Sequence, residues 1–307
     1  MKILFLEEYY KEFLPKDFGY EYKFFLDDDL QMIKEFDYEI IFSRLGMKID
    51  ENFVSKFKNL KFISTPTTGY THIDLDCLDK NSIELISLKK EKEFLKNITT
   101  TAEHAWMLFL ISKRDFIQSQ KNIKKGFWKR SNLFVNQLTG STAFIIGFGR
   151  LGKIISRYAQ AFNMKVKIFD PNIKKSDVPY GIDSVELSEG LKSSRNIFLC
   201  ASYTKNKDKS SSYILNRKYI DEIQRSSTLV NISRGELIDQ DYLFDVKRSK
   251  DLKLCLDVLT SDSEWNESEI NDKIKTYYND ENVLLTPHYG GFAIDSILMS
   301  NLLSLSL

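Results

Sequence analysis

Short apolar runs recur nearly from end to end of this chain, each followed by a stretch long enough for a helix. The runs fall at 3–6, 39–43, 61–65, 84–87, 143–147, 166–170, 196–200, 228–232, 253–258 and 283–286. Most are four to six residues of mixed Ile, Val, Leu and Phe without polar alternation, as expected of strands buried on both faces. Helix-length segments at 100–120, 151–162 and 240–250 lie between them. Alternation of this kind predicts an α/β protein with parallel sheets covered by helices. At 307 residues the chain is long enough for two domains.

Composition narrows the partners. Lys and Arg number 44 against 43 Asp and Glu, a formal charge of +1. No global pull toward nucleic acid or an acidic membrane follows from that balance. The longest uninterrupted apolar run, 105–111, is far short of the roughly 20 residues that span a bilayer. The opening MKILFLEEYY reads as a buried strand and not as a secretory leader. Three scattered cysteines without a CxxC pair argue against a disulfide scaffold or a metal site and suit a reducing compartment. The expectation is a cytoplasmic protein with no nucleic-acid, membrane or metal partner.

The charged segment 88–101 is the expected first domain boundary, and the break at Tyr289-Gly290-Gly291 the second. Residues 1–99 and 290–307 would then form one discontinuous domain around a continuous domain of residues 100–289.

One turn carries the first chemical signal. Thr142 to Gly152 reads as a strand running into G-x-G-x-x-G and then a helix. Gly147 permits the tight turn, Gly149 admits a pyrophosphate to the backbone, and Gly152 lets helix and strand pack. Amides near Arg150 and Leu151 would hold the diphosphate. Taken alone the motif is weak, and FAD or an adenosyl cofactor uses similar turns. Asp170, after the next apolar run, stands where a carboxylate takes the ribose hydroxyls and repels a 2′-phosphate. That favours NAD over NADP. Asp170 also reads as a plain turn acid before Pro171, and Lys174 and Lys175 leave NADP open.

Three further polar positions follow apolar runs. Arg234 follows run 228–232, and its planar fork suits bidentate carboxylate recognition. His288 follows run 283–286 and becomes a credible proton donor when a carboxylate holds it. Asp262 and Glu264, after run 253–258, can supply that carboxylate.

In this order the residues resemble the D-isomer-specific 2-hydroxyacid dehydrogenase family over most of the chain. LVNISRGELID (229–239) is similar to the family's strand with its catalytic arginine, here Arg234. LCLDVLTSD (254–262) resembles the next strand, with Asp257 where the family contacts the nicotinamide amide. NVLLTPHYGG (282–291) is similar to the segment with the catalytic histidine, here His288. TTGYTHIDLD (67–76) resembles the substrate-carboxylate loop, which implies acid binding by amides near Thr68 and Gly69. TAEHAWMLFL (101–110) resembles the helix that opens the nucleotide domain, making His104 scaffold. The resemblance implies a Rossmann-like nucleotide domain inserted in a flavodoxin-like substrate domain. It also implies hydride transfer between NAD and a small 2-oxo or D-2-hydroxy acid, and commonly a homodimer.

Two departures stand out. The position of the family's catalytic glutamate falls on Asp262, one methylene shorter, with Ser263 in place of the usual proline. Glu264 is the alternative partner for His288. The loop 89–96 replaces a shorter Pro/Gly loop, and its lysines either favour a phosphorylated substrate or form a solvated charged face. A dinucleotide-sensing protein of the same fold, without efficient catalysis, is the rival reading.

Overall fold

The computed structural model describes residues 1–6, 11, 14, 16, 19–25, 36–43, 47–65, 68–69, 72–128, 135–203, 213–260 and 272–293. These residues fall into two compact units: 1–98 with Phe292 and Ala293, and 99–260 with 272–291. Each carries its own parallel sheet.

The first sheet contains β1 (Lys2–Phe5), β2 (Glu21–Phe24), β3 (Ile40–Phe42), β4 (Phe62–Thr65) and β5 (Glu84–Ser87). Its order is β2-β1-β3-β4-β5, with every pairing parallel. That order is the flavodoxin-like winding, in which the chain reverses direction across the sheet between β1 and β3. Leu4, Ile41 and Ile63 are fully buried in its core, beside Ile49, Phe53 and Leu78 from the flanking segments.

The second sheet contains β6 (Thr142–Ile146), β7 (Lys165–Phe169), β8 (Ile182–Ser184), β9 (Asn196–Leu199), β10 (Thr228–Asn231), β11 (Lys253–Leu256) and β12 (Val283–Leu285). They are ordered β12-β11-β10-β9-β6-β7-β8, again all parallel. This is Rossmann winding with one strand added at the far edge, and the direction reverses between β6 and β9. The strands at that switch point, β6 and β9, are buried almost throughout. The helix Thr100–Lys113 packs on β10 and β11 and reaches β9 with its aromatic side chains. Its Trp106 stacks on Phe198 at 5.7 Å between ring centroids, and Phe109 meets the same ring edge-on at 5.0 Å. Such aromatic pairs add about 0.5–1.5 kcal/mol each beyond the area they bury.

Three differences from the sequence expectation have local causes. β2, which reads Glu-Tyr-Lys-Phe, and the three-residue β8 are edge strands, so neither needs an apolar run. The helix expected over 100–120 is two helices, Thr100–Lys113 and Phe116–Lys124. Asp115 between them sits in the left-handed region at φ 46°. No described helix is long and apolar enough to cross a membrane.

Candidate active site at the carboxyl edge of the second sheet

Because all seven strands are parallel, their carboxyl ends lie along one edge, where open α/β sheets bind ligands. Ile146 ends β6, and the chain turns through Gly147-Phe148-Gly149 into the helix Arg150–Ala161. Gly147 has φ +92°, and a Cβ there would lie 2.6 Å from the backbone of Ala201. Only glycine meets both demands. A Cβ on Gly152 would lie 2.1 Å from the carbonyl oxygen of Gly147, so helix and turn touch backbone to backbone. Gly149 differs from both, since a Cβ there would meet nothing within 4 Å. It faces open space at the mouth of a twelve-residue helix whose N-cap makes no side-chain hydrogen bond. The opening amides of a helix have no intrahelical acceptor, so this mouth fits an anionic diphosphate.

Asp170, directly after β7, is tied to that turn. Its Oδ2 accepts from Phe148 N at 2.8 Å and its Oδ1 from Asn172 N at 2.9 Å. The carboxylate is thus fixed beside the glycine turn, where a dinucleotide ribose lies in this winding. Arg150 is half-buried, and desolvation lowers its pKa from the ordinary arginine value. The Leu151 side chain packs on the core.

Arg234 leaves β10 through Ser233. Asn231 organises this turn: its Oδ1 accepts from Ser233 N at 3.0 Å and its Nδ2 donates to the carbonyl of Arg234 at 3.0 Å. Ser233 Oγ donates to the carbonyl of Leu199 at 2.9 Å, stitching the turn to the end of β9. The half-buried guanidinium donates from Nη1 to the carbonyl of Ser233 at 2.7 Å.

His288 is held differently. It is a non-glycine residue at φ 52°. Its N–H donates to the carbonyl of Asp257 at 2.8 Å. The Asp257 carboxylate, at the end of β11 and 2% exposed, grips the residues on both sides of His288. Oδ1 accepts from Thr286 Oγ1 at 2.6 Å and from Tyr289 N at 3.2 Å, and Oδ2 from Gly290 N at 2.9 Å. His104 closes the set, with Nε2 2.9 Å from Thr286 Oγ1 and 3.3 Å from Asp257 Oδ1. Since the Thr286 hydroxyl gives its proton to Asp257, its oxygen accepts from His104, which places a proton on Nε2. Left-handed backbone of this kind costs about 1–3 kcal/mol and persists where its surroundings over-determine it. Gly290 has no room for a side chain, since a Cβ would lie 2.7 Å from Asp257 Oδ2. Sequence reading took His104 as scaffold and Asp257 as a cofactor contact, and did not find this clamp. Its parts are 182 residues apart in the chain, beyond any local pattern.

In the first unit, Thr68 is exposed and Gly69 half-buried, shortly after the carboxyl end of β4. Asp262 and Glu264, the expected carboxylate partners of His288, lie outside the described residues. The charged segment 88–97 forms a short 3₁₀ turn and the helix Lys92–Leu95, anchored by buried Leu88, Leu95 and Ile98. Lys89, Lys92 and Lys96 are exposed, and Lys96 pairs with Glu93 at 2.6 Å, in keeping with a solvated charged face. Burial pushes the thiols of Cys200 and Cys255 up to about 12, so neither is a thiolate nucleophile at neutral pH.

Comparison with known proteins agrees with this geometry. Residues 106–290, more than half of the chain, match the family described as D-isomer specific 2-hydroxyacid dehydrogenase, NAD binding domain. The chain is 27% identical over 278 residues to a glyoxylate reductase of Pyrococcus furiosus, covering 87% of this chain and 76% of the relative. It is 29% identical over 265 residues to a hydroxypyruvate reductase of Thermotoga maritima, covering 86% and 81%. Its fold superposes with a TM-score of 0.81 on D-lactate dehydrogenase from Aquifex aeolicus complexed with NAD and lactic acid. That pair is 24% identical over 100% of this chain and 94% of the other. With a glycine turn, a carboxylate tied to it and a family match over the same unit, the chain belongs to the D-isomer specific 2-hydroxyacid dehydrogenases and has NAD as its cofactor.

Proposed function

We propose that this chain interconverts a small 2-oxo acid and its D-2-hydroxy acid, with Arg234 holding the substrate carboxylate and His288 moving the proton. The observation that carries the reading is topological. Arg234 and His288 follow β10 and β12, which both pair with β11, on the same edge as the glycine turn. Two strand spacings separate the backbones by about 10 Å, a span that a small acid bridges between their side chains.

When bound, NADH supplies the hydride. Arg234 binds the carboxylate in a bidentate fork and polarises the adjacent carbonyl. His288 delivers a proton to the oxygen that becomes the hydroxyl, and takes it back in the reverse direction. The Asp257 clamp fixes the backbone from which the imidazole projects. Beyond its bond to Gly290, Asp257 Oδ2 has a second acceptor position, which we assign to the nicotinamide amide. Asp262 is the proposed carboxylate partner of His288, with Glu264 the alternative. Amides near Thr68 and Gly69 are the proposed second contact to the substrate acid. In this reading residues 1–99 and 290–307 make the substrate domain and residues 100–289 the nucleotide domain.

The test is NADH oxidation followed at 340 nm against glyoxylate, hydroxypyruvate, pyruvate, 2-oxoglutarate and 3-phosphohydroxypyruvate, beside fluorescence titration of NADH. Turnover of at least one acid is the expected result. Tight NADH binding with no turnover across the panel would move the assignment to a dinucleotide sensor. Equal kcat/KM for hydroxypyruvate and its phosphorylated form is expected from the exposed lysines of 88–97, of which Lys96 pairs with Glu93.

NAD is also the proposed form over NADP. The anchored Asp170 carboxylate repels a 2′-phosphate, so Asp170→Ser should narrow the preference for NADH over NADPH by about 10–100-fold in kcat/KM. An unchanged ratio would remove Asp170 from cofactor selection.

A cytoplasmic homodimer completes the proposal. Free, buried cysteines suit a reducing compartment, and cell fractionation checks the location. Residues 116–128 expose Phe116, Ile117, Ile123, Phe127 and, at 89%, Trp128, an apolar surface of the kind that subunit interfaces cover. Sedimentation velocity of the full chain reads the state, and a monomer at micromolar concentration would remove this part.

A further inference from the structure

The clamp behind His288 ends in a residue that no step of the proposed reaction uses. His104 belongs to the helix Thr100–Lys113, and it is 8% exposed. Its Nε2 donates to Thr286 Oγ1 at 2.9 Å, and the Thr286 hydroxyl donates to Asp257 Oδ1 at 2.6 Å. The far end of this chain holds three consecutive backbone amides. His288 N donates to the Asp257 carbonyl, Tyr289 N to Oδ1 and Gly290 N to Oδ2. The first of the three residues is the one at φ 52°.

The direction of the chain depends on position 104. A hydroxyl has one proton to give and two acceptor positions. A donor at 104 fills one of those positions and polarises the hydroxyl, which strengthens its bond to the carboxylate. Without that donor the Thr286 oxygen loses its partner and the hydroxyl holds Asp257 less firmly. Asp257 is 2% exposed, so water does not make up the loss. The imidazole also shapes the turn directly. A Cβ on Gly290 would lie 3.2 Å from His104 Cδ2, and the Tyr289 ring meets the imidazole edge-on at 4.7 Å between centroids. His104 thus borders both residues that follow His288 and bonds, through Thr286, to the carboxylate that grips their amides.

We propose that His104 is a positioning residue for proton transfer, holding residues 288–290 through Thr286 and Asp257 in the backbone from which the His288 imidazole works. This deepens the proposed function and rests on its assignment of the proton to His288. The turn that carries Arg234 is bonded by Asn231 and Ser233 and shares no hydrogen bond with this chain. Loss of His104 therefore falls on kcat and leaves KM for the 2-oxo acid nearly unchanged.

Two substitutions in the full chain test this, since both remove the ring and only one keeps a donor. His104→Leu should lower kcat by about tenfold or more, because a general acid that is less firmly placed spends less time in line with its acceptor. His104→Gln, whose amide can still donate to Thr286, should recover most of that loss. Hydrogen exchange at amides 288–290 gives a readout that needs no turnover. It should quicken by about tenfold in His104→Leu, the scale of one hydrogen bond, and stay near wild type in His104→Gln. Exchange within the helix Arg150–Ala161 should not change in either. Thr286→Val breaks the same chain at its second link, so it should repeat the Leu phenotype, and the double variant should be no worse than either single one. Thr286→Val also decides the matter if His104→Leu does not fold. Unchanged kcat and exchange in His104→Leu, equal losses in Leu and Gln, or faster exchange throughout the second unit would each overturn the proposal. A wild-type protein that reduces no 2-oxo acid would instead count against the proposed function, and the exchange rates would still decide whether His104 holds this segment.

Discussion

Replacing His288 by alanine is expected to lower kcat by about 10²–10⁴-fold, with NADH affinity held within about twofold, because a positioned general acid contributes on that scale. The separation of the two readouts follows from the structure. His288 projects from the end of β12, whereas the glycine turn and Asp170 belong to β6 and β7, four and five places along the sheet. The clamp around His288 is made by backbone and by Thr286, so removing the imidazole leaves every one of its bonds in place. Stopped-flow reduction of the active 2-oxo acid together with fluorescence titration of NADH checks both halves. A kcat within tenfold of the wild-type value would assign the proton to another group.

Arg234→Lys is expected to lower kcat/KM by about 10²–10³-fold although the charge is kept. In the proposed role lysine would supply a point charge where the guanidinium would supply two parallel N–H bonds, so the substrate carboxylate would lose its fixed orientation. The turn that carries the side chain is shaped by bonds of Asn231 and Ser233, to which the guanidinium adds one to the Ser233 carbonyl. The folded state should therefore be unaffected, and the loss should appear in KM as well as kcat. Steady-state kinetics over a range of substrate concentration, with circular dichroism as the folding control, reads this directly. A full retention of kcat/KM would exclude a bidentate role.

Much of this protein was legible before any coordinate. Runs without polar alternation such as 196–200 and 228–232 became the strands Asn196–Leu199 and Thr228–Asn231, buried along their whole length, because a parallel strand covered by helices on both faces has no solvent side. Short runs separated by helix-length segments excluded hairpins and so dictated parallel sheets. The glycine spacing likewise marked the backbone-tight turn from β6 into its helix, since the demands on Gly147 and Gly152 are local and steric.

Other features needed the folded chain. β2 and β8 carry too little apolar pattern to be seen, because an edge strand is specified by its neighbour's free backbone groups and not by its own side chains. The break at Asp115 depends on where the helix Thr100–Lys113 must stop to let Lys253 reach both Ser112 and Asp115. The cluster of His104, Asp257 and Thr286, which braces the left-handed backbone of His288, joins residues from three distant segments. Sequence alone determined which strands form and which residues stand at their ends, because burial and turn sterics act over a few residues. Tertiary structure decided which of those residues meet, because hydrogen bonds in a closed core are set by where the strands are brought together.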